Sequence, residues 1–249
     1  MTIDGSAFGK PQIGPAYDEI VSNKAHLLKN MYWQEHFLPI INTKGLSLAE
    51  SKEQLFDFIN EALHNPENMT KANTALLASL GIAQNDFVVT NVGRIISWKG
   101  QDVFIKAMQK VVAVNPNVKG LLVGSFESGI GDSAFYNVLK QLISDLGLQK
   151  NIILTGDRKD VAQIINSSSL VVHTSIKPEP QGLVILEAMF CEKPVIVSNA
   201  GGSAELAQLY GAIATEPGNV DELAESILAV ISNTGKYLAN QLKLIQTNN

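Results

Sequence analysis

From residue 86 onward, short β-branched apolar runs alternate with segments whose apolar residues recur at helical spacing. Phe87–Val92, Gly120–Val123, Ile152–Leu154, Leu170–His173 and Pro194–Val197 are near-continuous apolar runs, a pattern that predicts parallel strands buried on both faces. Between them, Phe104, Ala107, Met108, Val111 and Val112 share one helical face, as do Phe135, Val138, Leu139, Leu142, Ile143 and Leu146. Val161, Ile164 and Ile165 predict a shorter helix; Leu183–Met189, Ser203–Leu209 and Val220–Ile231 predict three more. Such alternation with short connections implies right-handed crossovers and the α/β class, with a doubly wound, Rossmann-like parallel sheet. Ligands of these sheets sit beyond the carboxyl ends of the strands, so candidate chemistry is expected in the loops that leave them.

The first 85 residues read differently. Gly5, Gly9, Pro11, Gly14 and Pro15 make the opening irregular. Leu55, Phe58, Ile59, Ala62 and Leu63 predict one helix and Ala72–Leu80 another, while Met31–Leu38 is aromatic-rich without a clear period. No repeated βα unit is legible, and the echo between Gly9-Lys-Pro-Gln-Ile and Glu192-Lys-Pro-Val-Ile is read as chance. Three regions are therefore expected: a mainly helical or irregular segment over 1–85, an α/β domain over 86–232 and a tail over 233–249.

Composition removes several classes. The chain has 249 residues, a net charge of −5 and 45% hydrophobic residues, which suits a core but not broad attraction to nucleic acid. Cys191 is the only cysteine, so no internal disulfide forms and a reducing, cytoplasmic setting is expected. The most apolar stretch, Gly182 to Val197, is interrupted by Glu187, Glu192 and Lys193, and no membrane span is predicted.

Three loops carry candidate chemistry. Val92-Gly-Arg-Ile-Ile-Ser-Trp-Lys-Gly100 leaves the first strand and precedes a helix. Gly93 and Gly100 permit tight backbone paths, and Arg94 and Lys99 put two cations at a strand's carboxyl end, an arrangement that suits a diphosphate. Ordinary solvated charges read equally well on charge alone. The second loop, Lys177-Pro-Glu-Pro-Gln-Gly-Leu-Val-Ile-Leu-Glu187, is stiffened by two prolines, with Gly182 opening a helix. The first amides of that helix, near Gly182, Leu183 and Val184, are free to hold an anion. Glu187 stands in an otherwise apolar helix and needs donors; sugar hydroxyls would serve, as would a local salt bridge. The third loop, Asn199-Ala-Gly-Gly-Ser-Ala-Glu205, allows close backbone approach, with Ser203 as the expected N-cap.

In order, Gly93-Arg94…Lys99-Gly100, Leu122-Val-Gly124, Leu154-Thr-Gly156 with Asp160-Val161, and His173-Thr-Ser175 form the first half of one series. Glu179-Pro…Gly182-Leu…Glu187-Ala-Met189, Lys193-Pro-Val-Ile196 and Gly201-Gly202…Glu205 complete it. This series resembles the C-terminal domain of family-4 retaining glycosyltransferases of GT-B fold, the group of the sucrose- and lipopolysaccharide-type hexosyl transferases. The resemblance implies a nucleotide-sugar-binding domain over 86–232, with 1–85 a partial or diverged acceptor-side region. It implies that Arg94 and Lys99 grip the donor diphosphate, that Glu179 binds the transferred sugar, and that Glu187 binds the ribose. Gly93 and the amides of Gly182, Leu183 and Val184 would complete the donor site, with Arg158 near the nucleobase. No metal and no cofactor beyond the donor are implied, and Asp-x-Asp does not occur. The acceptor would be a sugar, lipid or glycan, with a peripheral membrane contact and a missing domain or partner chain left open.

Alternatives follow from the same residues: a donor-binding module without turnover, or a sugar-nucleotide epimerase, which the glutamate spacing disfavours. A dinucleotide-dependent oxidoreductase shares the fold class, but Val92-Gly-Arg-Ile-Ile stands where Gly-x-Gly-x-x-Gly would be needed. Trp98 and Cys191 are read as packing residues. His173 is read as a packed strand histidine or as a site residue.

Overall fold

The computed structural model describes residues 12–15, 46–49, 67–127, 132–180 and 182–247. Two short strands, β1 (Gln12–Pro15) and β2 (Leu46–Ala49), pair in parallel. They lie within the segment expected to be mainly helical or irregular, and β1 follows Lys10-Pro11 much as β7 below follows Lys193-Pro194. The helix expected around residues 55–63 and the aromatic stretch 31–38 lie outside the described residues. Helix α1 (Glu67–Ser79) covers most of the expected 72–80 helix.

The main domain then runs β3 (Phe87–Val92), α2 (Gln101–Val114), β4 (Val118–Val123), α3 (Ser133–Asp145), β5 (Ile152–Gly156) and α4 (Val161–Ser167). It continues with β6 (Leu170–His173), α5 (Leu183–Phe190), β7 (Val195–Ser198), α6 (Gly202–Tyr210), β8 (Ile213–Thr215), α7 (Val220–Ser232) and α8 (Thr234–Thr247). Six strands form one sheet in the order β5-β4-β3-β6-β7-β8, and every pairing is parallel. The order reverses direction between β3 and β6, so these two strands flank the switch point where such sheets open a crevice.

The alternation of side chains explains why the strands read as unbroken apolar runs. Val89, Leu122, Leu170, Val172 and Ile196 face one core, filled by Phe104, Ile105 and Met108 of α2, Leu139 of α3 and Leu223 and Ile227 of α7. Val171, Val195 and Val197 face the other way, against Ile185, Ala188 and Met189 of α5. Val88, Leu121 and Val123 also face that side, with Ile164 of α4. Both faces of each central strand are therefore buried, as periodicity predicted.

Beyond β1 and β2, a strand and a helix of the main domain escaped the sequence pattern. Strand β8 is three residues long, with Ala214 exposed at the sheet edge. Residues after Asn233, read as a tail, form α8, whose Gln241 is buried. Gln241 donates to the Lys193 carbonyl at 2.7 Å and accepts from the Val195 amide at 3.2 Å, pinning the helix to the start of β7. Among the described residues no helix is long and apolar enough to cross a membrane.

Candidate functional site

The loop leaving β3 is shaped by backbone contacts. Ile95 is buried, donates to the Ser125 carbonyl and accepts from the Asp132 amide, which fixes the middle of the loop against the end of β4. A 3-10 turn, Ser97–Lys99, ends at Gly100 with φ 68°, a conformation glycine adopts without strain. A Cβ on Gly100 would collide with the Thr174 carbonyl oxygen, so the loops from β3 and β6 meet as bare main chain. The Ile176 amide donates to the Trp98 carbonyl at 2.8 Å, and the Thr174 hydroxyl donates to the Lys99 carbonyl at 2.9 Å. Beneath them the Asn91 amide group, buried where β3 and β6 separate, donates to the Val172 carbonyl and the Thr174 hydroxyl.

This stitching brings Lys99 to Glu179. The Lys99 Nζ lies 2.6 Å from both carboxylate oxygens, with the two side chains only 16% and 11% exposed. The Lys99 stem passes over Gly93, its Cδ 3.7 Å from the place a Gly93 Cβ would occupy, and its Nζ lies 4.8 Å from the Trp98 ring centroid. Trp98 thus packs beside the lysine. Burial by itself would raise the Glu179 carboxyl. Hydrogen bonds from His173, Lys99 and Ser175 outweigh it and bring the group from the ordinary 4.5 down to about 2. The His173 Nε2 is 2.8 Å from the Glu179 Oε1, and the Ser175 hydroxyl donates to the same oxygen. His173 is buried, as the packed-strand reading expects, and it also contacts Glu179. Ser175 was given no role from sequence, although the His173-Thr-Ser175 motif contained it.

The Glu179 backbone is held from the third loop. Its carbonyl accepts from the Gly202 amide at 2.8 Å, and a Cβ on Gly201 would press on the Glu179 main chain. Ser203, expected as an N-cap, lies one residue inside α6; Gly201 occupies the cap position without a side-chain bond. The Ser203 hydroxyl instead donates to the Ser198 and Ala200 carbonyls. The reason is the glycine pair, whose φ of 59° at Gly201 turns the chain two residues earlier than capping by Ser203 would.

Helix α5 presents its amino end beside Glu179. Gly182, at φ 58°, is its N-cap and supplies no side-chain bond, so the first-turn amides of Leu183 and Val184 have no intrahelical acceptor. Leu183 is 63% exposed, and Glu187, one turn on, is exposed on the same side. Ile185, Ala188 and Met189 take the buried side, which reconciles an apolar sequence with a solvent-facing glutamate. The Glu187 side chain makes no ion pair among the described residues, so the local salt bridge considered from sequence is not formed with them. Although part of its surface meets solvent, the neighbouring chain partly desolvates the carboxyl and raises its pKa.

Arg94 and Arg158 make no hydrogen bond or ion pair with this cluster among the described residues. Arg94 is exposed, and its carbonyl accepts from the buried Gln101 side chain at 2.9 Å; its guanidinium engages none of the described residues. Arg158, past the end of β5, is bound by Asp160 through Nε at 2.8 Å and Nη2 at 2.5 Å, and that hydrogen bonding raises its pKa. Nearby, Gly156 borders Phe126, which stacks on Tyr136 with ring centroids 3.9 Å apart. Cys191 is buried, and burial pushes its thiol up to about 11, the behaviour of a core residue.

This architecture is shared. The family model for glycosyl transferases group 1 matches residues 72–245. An uncharacterised glycosyltransferase of Methanocaldococcus jannaschii is 31% identical over 170 residues, covering 66% of this chain and 41% of its own length. A GDP-mannose-dependent mannosyltransferase of Corynebacterium glutamicum, which acts on a monoacylated phosphatidylinositol monomannoside, is 25% identical over 166 residues, with 64% and 42% covered. The chain thus spans about two fifths of the length of these curated relatives. Among solved structures, Anabaena HepE in complex with UDP-glucose superposes with a TM-score of 0.65 at 29% identity, covering 95% of this chain and 68% of that one. The C-terminal domain of a group 1 glycosyl transferase from Francisella tularensis superposes with a TM-score of 0.59 at 26% identity, covering 70% of this chain and 91% of that domain. With the six-stranded parallel sheet, the loops at its switch point and these matches together, the chain belongs to the glycosyl transferases group 1 family and carries its GT-B C-terminal domain.

Proposed function

We propose that this chain supplies the donor-binding half of a retaining glycosyltransferase that takes a sugar from a nucleotide diphosphate. The observation that carries the reading is the Lys99–Glu179 pair at the switch point, set beside the free amide end of α5. In this reading Lys99 and Arg94 grip the diphosphate, joined by the Leu183 and Val184 amides. Positive groups fixed there stabilise the charge that grows on phosphate as the glycosidic bond breaks. Glu179 takes hydrogen bonds from the transferred sugar, Glu187 from the ribose, and Arg158 lies toward the base. The complexes of Anabaena HepE with UDP and with UDP-glucose support a nucleotide-sugar ligand. The acceptor in this reading is a sugar, lipid or glycan.

A second reading, binding without turnover by this chain alone, is favoured by the two-fifths coverage of its relatives. Measured donor hydrolysis and transfer, compared with nucleotide binding, separate the two. The primary test is a thermal-shift series with UDP, GDP, ADP and their sugars. A ligand at a hundredfold excess over its Kd adds about 2.7 kcal/mol, or about 2–4 °C for each kcal/mol in a chain of this size. At least one ligand should give such a shift, and Arg94→Ala or Lys99→Ala should abolish it; no shift with any of them rejects the site. Anomeric analysis of the product tests retention.

A further inference from the structure

His173 closes β6 with its side chain 4% exposed, and its two ring nitrogens have opposite surroundings. The Nε2 is 2.8 Å from the Glu179 Oε1 and 3.2 Å from the Ser175 hydroxyl. A carboxylate only accepts, so the Nε2 carries the hydrogen of that contact. The Nδ1 is buried without a hydrogen-bond partner among the described residues. Burying an unsatisfied polar atom costs stability, and a histidine serving the core alone has no use for this arrangement. What the arrangement does provide is a donor fixed on one oxygen of Glu179.

Lys99 also holds that carboxylate, but from a different loop and on a flexible stem. In the donor-site reading the same ammonium is needed by the diphosphate. When Lys99 turns to phosphate, Glu179 keeps the two donors of its own strand end, His173 and Ser175, and the backbone clasp of Gly201 and Gly202. We infer that His173, seconded by Ser175, is a positioning residue that holds the Glu179 carboxylate aimed at the donor sugar while Lys99 is engaged elsewhere. This rests on the donor-site reading above. Among the described residues, the titratable groups facing Glu179 are Lys99 from the β3 loop and His173 from β6, and the third loop contributes backbone. The low pKa of Glu179 accords with three donors converging on it.

The test compares His173→Leu, which removes the donor, with His173→Gln, which restores an N–H near the Nε2 position, and with Ser175→Ala. The first readout needs no donor: carbon-13 NMR of the glutamate carboxyls, the Glu179 signal identified by its loss in Glu179→Gln. His173→Leu should move the Glu179 midpoint up from about 2, and His173→Gln should bring it back down. An unchanged midpoint in His173→Leu overturns the inference. The second readout is calorimetric binding of UDP, UDP-glucose, GDP and GDP-mannose. His173→Leu should weaken the preferred nucleotide-sugar by at least about tenfold while leaving the matching nucleotide unchanged, with recovery in His173→Gln. Equal loss for both ligands, or none, overturns it. If the wild-type chain binds none of the four, the donor-site reading falls, and the carboxyl titration alone decides whether His173 positions Glu179. Should His173→Leu fail to fold, Ser175→Ala is read the same way in both measurements.

Discussion

Leu183 and Glu187 stand one turn apart on the outward side of α5, with Ile185 and Met189 buried opposite them. An exposed leucine in the first turn of a helix and a partly desolvated acid one turn on are poor choices for stability. Both are explained if that side of α5 exists to meet a ligand.

The acid should therefore trade stability for binding. Its folded pKa is raised above the ordinary 4.5, so the folded chain binds the proton more tightly and stability falls as pH rises through that interval. Glu187→Gln should melt above the wild type at pH 8, with the difference shrinking below about pH 4, and should bind nucleotide more weakly. Melting curves across pH, with one binding titration, check both halves. A variant that loses stability at pH 8 would contradict the desolvation argument.

Glu179 has the opposite sign. Its folded pKa is lowered from 4.5 to about 2, so its contribution to stability is present in full above 4.5 and is lost as pH falls toward 2. Glu179→Gln should be less stable than wild type at pH 7, and the two should converge on acidification. Unfolding monitored by circular dichroism between neutral and acid pH makes the comparison.

Cys191 should be chemically quiet. With its thiol at about 11 and buried, thiolate is scarce at pH 8 and hard to reach. Alkylation by iodoacetamide should be slow in the native chain and rapid in denaturant, with no loss of nucleotide binding in Cys191→Ala.

Helix α8 should depend on Gln241. Gln241→Ala removes two hydrogen bonds to the backbone of Lys193 and Val195, at a cost of about 1–3 kcal/mol. The melting temperature should fall, and the Val195 amide should exchange its hydrogen faster. An unchanged exchange rate there would show that α8 is held by other contacts.

Apolar periodicity located the central strands well because both faces of each are buried. The bounds of β3 and β6, Phe87–Val92 and Leu170–His173, match the expected runs. Strand β8 was invisible because three edge residues with an exposed Ala214 make no run. Helix α8 was missed because its main anchor is a glutamine, which no hydrophobic pattern detects. In the site, residue types and loop positions pointed to Lys99 and Glu179 separately. Their contact across 80 positions depends on β3 lying next to β6, and strand order is a property of the folded sheet. The roles of His173 and Ser175 needed atomic distances, since neither residue type nor spacing tells which ring nitrogen meets which oxygen.

The meeting of the three loops as main chain inverts the usual freedom to mutate. At a site assembled from side chains, swapping one charged group for another is the drastic change, and trimming or adding a methyl group is mild. Here adding a methyl is as drastic as changing a charge. An alanine at Gly100, Gly124 or Gly201 would strike the main chain of Thr174, Gly93 or Glu179 and force neighbouring loops apart, disturbing Lys99 and Glu179 together. Side chains around these loops can therefore change only as long as the glycine seams stay shut, because the seams hold the loops of Lys99 and Glu179 together.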